Sequence, residues 1–449
     1  MSRKIVIVGG VGGGSTVTSQ IRRVDPDAEI ILFDKGSYIG FSNCGMPYYI
    51  GGVVEKRKKL LIDTEKFSDK FNADVRTNAE VTSIDRVSKS VSYNDASGTH
   101  KETYDTLIYA PGATAVTPDS TGINPDRTFT LRTIPDMDEI YHYIQNHQPK
   151  NCAIIGAGFI GMEMVENLTN IGIDCTIVDR SKQVMKLVDK EIAEPIENHL
   201  EEKGVHVMLE ESLDSFSDNG TKLQLKSGKT LQADMTIMAT GVKPNTNIAK
   251  AAGLETGKTG ALKVNDFMQT NDPDIYALGD VVETEDFLTR NPRNVALAWP
   301  AHRQSFIIAN HLEGKDIPYN GTLGSAIFKV FDLDVAATGL NRTALKQLGI
   351  SFKEATHEAL SHAGYYPGAD KISLKVLFDA KVGTIYGAQC VGESGVDKRI
   401  AVISTAMKGK MTVADLAQLE LAYAPPYSSP KDPVNILGYK ASGMLDGKG

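Results

Sequence analysis

The sequence predicts an α/β fold of two βαβ units, one inserted in the other, followed by an α+β C-terminal domain. Three observations predict it. A strand, a Gly-rich turn and a helix follow one another over residues 5–23, and the same pattern recurs from residue 152. Beyond about residue 325 the composition changes to alternating strands and then helices, with no Gly-rich turn. At 449 residues the chain is also too long for one hydrophobic core.

Composition narrows the function. A formal net charge of -8 argues against nucleic acid as a partner. The cysteines, at 44, 152, 175 and 390, have no paired spacing, no C-x-x-C and no neighbouring histidine cluster. A disulfide scaffold and a zinc site are thereby excluded, and a reducing compartment fits. The apolar run at residues 5–8 is too short for a signal peptide or a membrane span. A soluble cytoplasmic protein, with no membrane partner, is expected.

Residues 5–8 read as a buried parallel strand, and residues 15–23 as the helix after the turn. Against G-x-G-x-x-G, Gly9 and Gly14 fit while Val11 takes the middle place. A second strand, residues 29–33, ends in Asp34, where an acid accepts hydrogen bonds from an adenosine ribose. Strand, turn, helix, strand and acid together predict a nucleotide site.

Residues 40–49 then hold a single cysteine among small and turn-forming residues. Pro47 suits the first turn of a helix, which places Cys44 at a helix start. Partial positive charge there lowers a thiol pKa from its ordinary ~8.5 and favours the reactive thiolate. The competing reading is a buried, inert cysteine. The basic run at residues 55–59 reads either as a solvated face or as an anion contact near Cys44. Short strands and turns follow to residue 110, and the unit closes over residues 105–113.

In the second copy all three glycines of the motif are present, as Gly156, Gly158 and Gly161. Gly172 ends its helix as a C-cap glycine does, and the strand at 174–178 leads to Asp179. A carboxylate there favours NADH over NADPH, while Arg180 and Lys182 pull the other way. Residues 234–245 repeat the closing pattern of 105–113, so the chain carries two dinucleotide sites. Cys152 and Cys175 fall within strands and read as small buried hydrophobes. The strand at 272–281 ends in Gly279 and Asp280, and Asp280 is either an acceptor for a polyol chain or a turn former. Residues 372–378 form a further strand, and helices run from about 397 to 420. The prolines of residues 422–428 preclude regular structure, and the tyrosines there offer hydroxyls.

Seven segments, GGVGGG, SNCGMPYYIGG, GAGFIGME, ATGVKPN, YALGD, LAWPAHR and AYAPPYSSPKDPVN, together resemble one family. It is the single-cysteine branch of the FAD- and NAD(P)H-dependent pyridine nucleotide-disulfide oxidoreductases, which includes coenzyme A disulfide reductases. The resemblance implies an FAD domain of residues 1–113 and 248–325, an NAD(P)H domain of 114–247, and a dimerisation domain of 326–449. By position, Gly9, Gly14, Asp34, Ala113 and Asp280 would hold FAD. Gly156, Gly158, Gly161, Glu163, Asp179 and Gly241 would line the NADH or NADPH site. Cys44 would be the redox-active cysteine and Asn43 would lie beside it. Arg23 would meet coenzyme A. Tyr365 and Tyr423 would reach Cys44 of the other subunit of a homodimer.

Two departures bear on the activity. The two-cysteine relatives carry a second cysteine five residues after the first, where this chain has Tyr49. NADH peroxidases and oxidases carry a histidine in the first Gly turn, where this chain has Gly12. The expected activity is therefore NAD(P)H-dependent reduction of coenzyme A disulfide through Cys44. Its alternatives are an NADH oxidase or peroxidase cycling Cys44 through sulfenic acid, and a redox-responsive binding protein with negligible turnover.

Overall fold

In the computed structural model, which describes residues 2–446, the strand Lys4–Val8 is the middle of a five-stranded sheet. The order is Ile275–Ala277, Thr106–Tyr109, Lys4–Val8, Glu29–Phe33 and Ala73–Arg76, and every pairing is parallel. Parallel strands covered on both faces read as unbroken apolar runs, which is why Ile5, Val6 and Ile7 follow one another without a polar residue. On one face Ile5 and Ile7 pack with Val17, Ile21, Ile307 and Ile308 from two helices, Gly12–Val24 and Ala298–Leu312. On the other, Val6 and Val8 meet Val81, Val91 and Tyr93 from a three-stranded antiparallel sheet.

The first helix starts at Gly12 and not at residue 15, because Gly12 to Gly14 already take helical angles. Two short strands, Ala113–Ala115 and Val242–Pro244, pair antiparallel where the chain leaves this unit and returns to it. The unit comprises the chain up to Val116, Leu131–Tyr141 and Gly241–Thr322. Residues 131–141, read from the sequence as part of the inserted domain, group here because two of their side chains are anchored in it. Asp138 accepts from Nε and one terminal nitrogen of Arg57, and Arg132 pairs with Asp280.

The second unit comprises Thr117–Thr130, His142–Thr240 and the chain from Leu323 onward. Its parallel sheet repeats the plan of the first, in the order His206–Leu209, Asp174–Asp179, Asn151–Ile155, Met235–Met238 and Thr128–Phe129. A three-stranded antiparallel sheet again covers one face, and Phe216, Leu223 and Leu225 fill the space between. The C-terminal part is a five-stranded antiparallel sheet with the helices Val396–Lys408 and Pro433–Ser442.

A buried ionic cluster joins the helix Lys190–Glu202 to that sheet. The carboxylates of Asp189, Glu191 and Glu354 come within 4.8 Å of one another, as metal ligands would. The Lys375 ammonium, however, bonds all three and takes the place a cation would occupy.

Candidate active site

The two Gly-rich turns are built alike, atom for atom. In the first, a Cβ on Gly9 would come within 2.2 Å of the Ala110 carbonyl oxygen, and one on Gly14 within 1.7 Å of the Gly9 oxygen. In the second, the matching distances are 2.3 Å from Gly156 to the Ala239 oxygen and 2.0 Å from Gly161 to the Gly156 oxygen. Gly9 and Gly156 also have positive φ, which side-chain-bearing residues rarely adopt. These four glycines are demanded by the chain's own packing. Gly158 is different: a Cβ there would meet nothing within 4 Å, and the same holds for Gly12. Both border open space at the start of a helix whose first N–H groups have no side-chain cap. Such a helix start, with its partial positive charge, suits the pyrophosphate of a dinucleotide. In the first copy the residue matching Gly158 is Val11, the half-buried N-cap of its helix.

The acid that follows each second strand is tied back to its turn. Asp34 accepts the Gly10 and Gly36 N–H groups, each at 2.7 Å. Burial raises its pKa, and those two bonds pull in the opposite direction. Asp179 accepts the Ala157 N–H at 2.8 Å, the Ser181 N–H at 2.7 Å and the Ser181 hydroxyl. Burial works against its charge, but these donors outweigh it and hold the carboxyl below its ordinary value. A carboxylate offers about four lone-pair sites, so both acids keep capacity for ribose hydroxyls. Arg180 and Lys182 are exposed beside Asp179.

Cys44 lies in a single 3-10 turn, Asn43–Gly45, that runs into the helix Met46–Ile50 with Pro47 in its first turn. It is exposed, whereas Cys152, Cys175 and Cys390 are buried. Burial pushes the Cys175 thiol up to about 12 and raises Cys152 and Cys390 as well, which removes all three from thiolate chemistry. A Cβ on Gly45 would come within 2.3 Å of a Leu60 methyl, so a side chain there would require Leu60 to shift. Tyr49, at the place of the second cysteine, stacks against Tyr141 with ring centroids 5.0 Å apart.

Sequence reasoning missed the residue that gathers this site. Arg132 pairs with Asp280, donates from Nε to the Ala113 carbonyl at 3.2 Å, and accepts on its own carbonyl the Asn43 side-chain amide at 3.0 Å. Three of the residues assigned by resemblance thus converge on one arginine. The basic run near Cys44 also divides. Arg57 forms a two-pronged pair with Asp138 and donates to the Tyr38 hydroxyl, while Lys56, Lys58 and Lys59 are exposed. Arg22 caps the end of its helix and ties down its surroundings through five backbone carbonyls, and its neighbour Arg23 is exposed.

In the second unit Glu163 and Glu166 stand on one face of the helix Phe159–Asn170. Burial, reinforced by the Glu166 charge, pushes the Glu163 carboxyl from 4.5 up to about 7. Between those values the folded chain holds a proton that the unfolded chain has lost, so stability falls as pH rises through this window. Glu163→Gln removes that slope. Calorimetry should find the variant more stable than the parent by roughly 3 kcal/mol at about pH 8, with the difference gone near pH 4. A difference that does not change with pH would contradict the raised value.

Tyr365 and Tyr423 come from loops far apart in sequence, and their hydroxyl oxygens lie 3.3 Å apart. Their exposures are 77% and 43%. The hydrogen bond between the two hydroxyls raises the Tyr423 pKa above the ordinary tyrosine value. Gly241, also assigned by resemblance, lies at the first unit's return point with φ of +113° and open space around its Cβ position.

Among the described residues no helix is long and apolar enough to cross a membrane. The sequence model for pyridine nucleotide-disulphide oxidoreductases matches residues 3–305, and that for the dimerisation domain of the same family matches residues 325–432. The chain is 41% identical over 442 residues to a coenzyme A disulfide reductase of Staphylococcus aureus (strain N315), covering 98% of this chain and 99% of the relative. Among solved structures it resembles the reduced Bacillus anthracis CoADR-RHD, at TM-score 0.98 and 47% identity, over 100% of this chain and 81% of that one. It also resembles an NAD-dependent persulfide reductase from A. fulgidus, at TM-score 0.96 and 35% identity, over 98% of this chain and 83% of that one.

Proposed function

Because the chain belongs to the pyridine nucleotide-disulphide oxidoreductases, we propose that it uses NADH or NADPH, through FAD, to reduce coenzyme A disulfide at Cys44. The observation that carries this reading is the cysteine inventory. One of four thiols is exposed, it follows the first Gly turn and Asp34 in the same unit, and the position five residues on is an aromatic ring. With no second thiol there, the other sulfur must come from a small-molecule thiol. We assign FAD to the turn at Gly9 and Gly14 with Asp34, Ala113 and Asp280. We assign NADH or NADPH to the turn at Gly156, Gly158 and Gly161 with Glu163, Asp179 and Gly241.

Bound FAD supplies a two-electron relay between nicotinamide and sulfur. The chain's own part is thiol-disulfide exchange. The Cys44 thiolate attacks one sulfur of coenzyme A disulfide, forms Cys44-S-S-CoA and releases one coenzyme A thiolate. Two electrons, arriving from NAD(P)H, then cleave the mixed disulfide into the Cys44 thiolate and a second coenzyme A thiolate. The proton released by NAD(P)H oxidation and one proton from solvent convert the two coenzyme A thiolates to thiols. Asn43 orients the loop that carries the sulfur, through its bond to the Arg132 carbonyl. Tyr365 and Tyr423 would donate a hydrogen bond from their hydroxyls to the departing thiolate at Cys44 of the second subunit of a homodimer. Arg23, exposed at the end of its helix, would meet the nucleotide phosphates of coenzyme A.

The domain limits 1–113 with 248–325, 114–247 and 326–449, and a cytoplasmic location with its reducing thiol pool, complete this reading. Intact mass under non-reducing conditions tests it. The oxidised protein should carry one coenzyme A on Cys44, lost on adding NADH. A bare Cys44, together with no NADH consumption on adding coenzyme A disulfide, would refute it.

A further inference from the structure

We infer that Arg399 and Asp432, a buried ion pair behind the two tyrosines, are positioning residues that set the Tyr365–Tyr423 hydroxyl pair for disulfide reduction. The inference rests on the reading of those tyrosines given above, and concerns how their geometry is held.

The pair needs an explanation. Tyr365 stands in the loop between the strands Lys353–Leu360 and Lys371–Phe378, and Tyr423 in an irregular segment ahead of the helix Pro433–Ser442. Two exposed side chains on separate loops do not keep a 3.3 Å separation unless their backbones are held. The direct link between the loops is one backbone bond, Ala363 N–H to the Pro425 carbonyl at 3.3 Å. The rest of the support lies underneath.

Arg399 is 1% exposed and Asp432 is 2% exposed. The Arg399 fork donates to the Ser361 carbonyl at 2.7 Å, at the base of the Tyr365 loop, and to Asp432 at 3.1 and 3.4 Å. A third bond, to the Gly395 carbonyl at 3.1 Å, fixes the fork on its own helix. Asp432 in turn accepts the Ser428 hydroxyl at 2.6 Å, which holds the end of the Tyr423 segment. It also caps the following helix through the Val434 N–H at 3.0 Å. Asn435, its partner in that cap, donates to the Leu419 carbonyl at 2.9 Å and so holds the start of the same segment. The Tyr365 loop is closed by two bonds between Ser361 and Asp370.

One guanidinium therefore joins the anchors of both loops. It reaches neither hydroxyl itself, since its nitrogens are all directed to Ser361, Asp432 and Gly395. A planar fork is needed for that, because lysine offers a single point of charge and cannot serve two loops in one plane.

The test is a mutant cycle on the full-length holoenzyme. Tyr365→Phe/Tyr423→Phe should lower kcat for coenzyme A disulfide by about 10²-fold, within the range of a general acid. Arg399→Lys should lower the same kcat about 10-fold, while flavin reduction by NADH, followed by stopped-flow absorbance, stays at the parental rate. Placed in the double-Phe background, Arg399→Lys should cost nothing further, because residues acting through one group are not additive. Ser428→Ala removes only the tie between the Tyr423 segment and Asp432. It should show the same pattern at smaller size, and it decides the matter if Arg399→Lys does not fold. Losses that multiply in the combined variant, equal slowing of flavin reduction, or full activity in both Arg399→Lys and Ser428→Ala would overturn the positioning role. A double-Phe variant with parental kcat would instead overturn the reading of the tyrosines on which it rests.

Discussion

Cys44→Ser is expected to lower NADH consumption with coenzyme A disulfide by at least ~10³-fold while leaving reduction of the bound flavin by NADH near the parental rate. The size follows from loss of the nucleophile, which cannot be made up by binding or orientation. A serine hydroxyl is neutral at pH 7 and cannot form or release a disulfide. No other thiol can substitute, because Cys152, Cys175 and Cys390 are buried within strands and held in the neutral form. Alanine at any of these three should therefore keep turnover near the parental value, apart from effects on stability. The split between the two half-reactions is the informative readout. In the proposed mechanism the hydride step uses the two nucleotide sites and the sulfur step uses Cys44, so loss of both together would point to misfolding around the Asn43–Gly45 turn. Oxygen consumption that disappears with Cys44, in a protein that does not turn over coenzyme A disulfide, would select the sulfenic acid cycle instead.

What could be read in advance and what could not divide along sequence distance. The two βαβ units were legible because a glycine requirement in each arises within one strand, turn and helix, where Gly14 passes against the Gly9 carbonyl and Gly161 against the Gly156 carbonyl. Val11 at the middle position did not spoil the pattern, since the open site there is bordered by Gly12 as well. Arg132 left no such trace. Its partners lie 19, 89 and 148 positions away, and nothing in its neighbours distinguishes it from a surface arginine. Arg57 was hidden the other way, inside a run of like charges. Its partner Asp138 is 81 positions on, so the one member of the run with an internal role looked like the others. The same limit applies to Arg399, whose partners Ser361 and Asp432 lie 38 and 33 positions away.

Lys375 shows the limit most sharply and carries the second large effect. In the strand Lys371–Phe378 it falls at a polar place of an alternating pattern, which predicts a solvent-facing side chain, yet it is 0% exposed. The face it occupies is covered by residues 189–191, which bring the Asp189 and Glu191 carboxylates to its ammonium, with Glu354 beside them. Burial alone would lower the Lys375 pKa, but the three carboxylate bonds outweigh it and raise the value. Its contribution is therefore present at neutral pH and lost only as pH rises beyond the ordinary lysine range, whereas Glu191 and Glu354, both held below 4.5, lose theirs as pH falls. Lys375→Met leaves Asp189 without a cation among the described residues, while the Arg342 guanidinium still serves Glu191 and Glu354 at 2.6 Å. Removing one side of a buried ion pair costs about 3–5 kcal/mol, because Asp189, only 3% exposed, stays desolvated. For a unit of this size that is a fall of roughly 6–15 °C in the unfolding midpoint, measured by calorimetry. Adding Glu354→Gln to Lys375→Met should return part of the loss, since one uncompensated charge is then gone. The parent with Glu354→Gln alone should lose stability instead. This reversal of sign separates an electrostatic clasp from simple packing, for which the two substitutions would add.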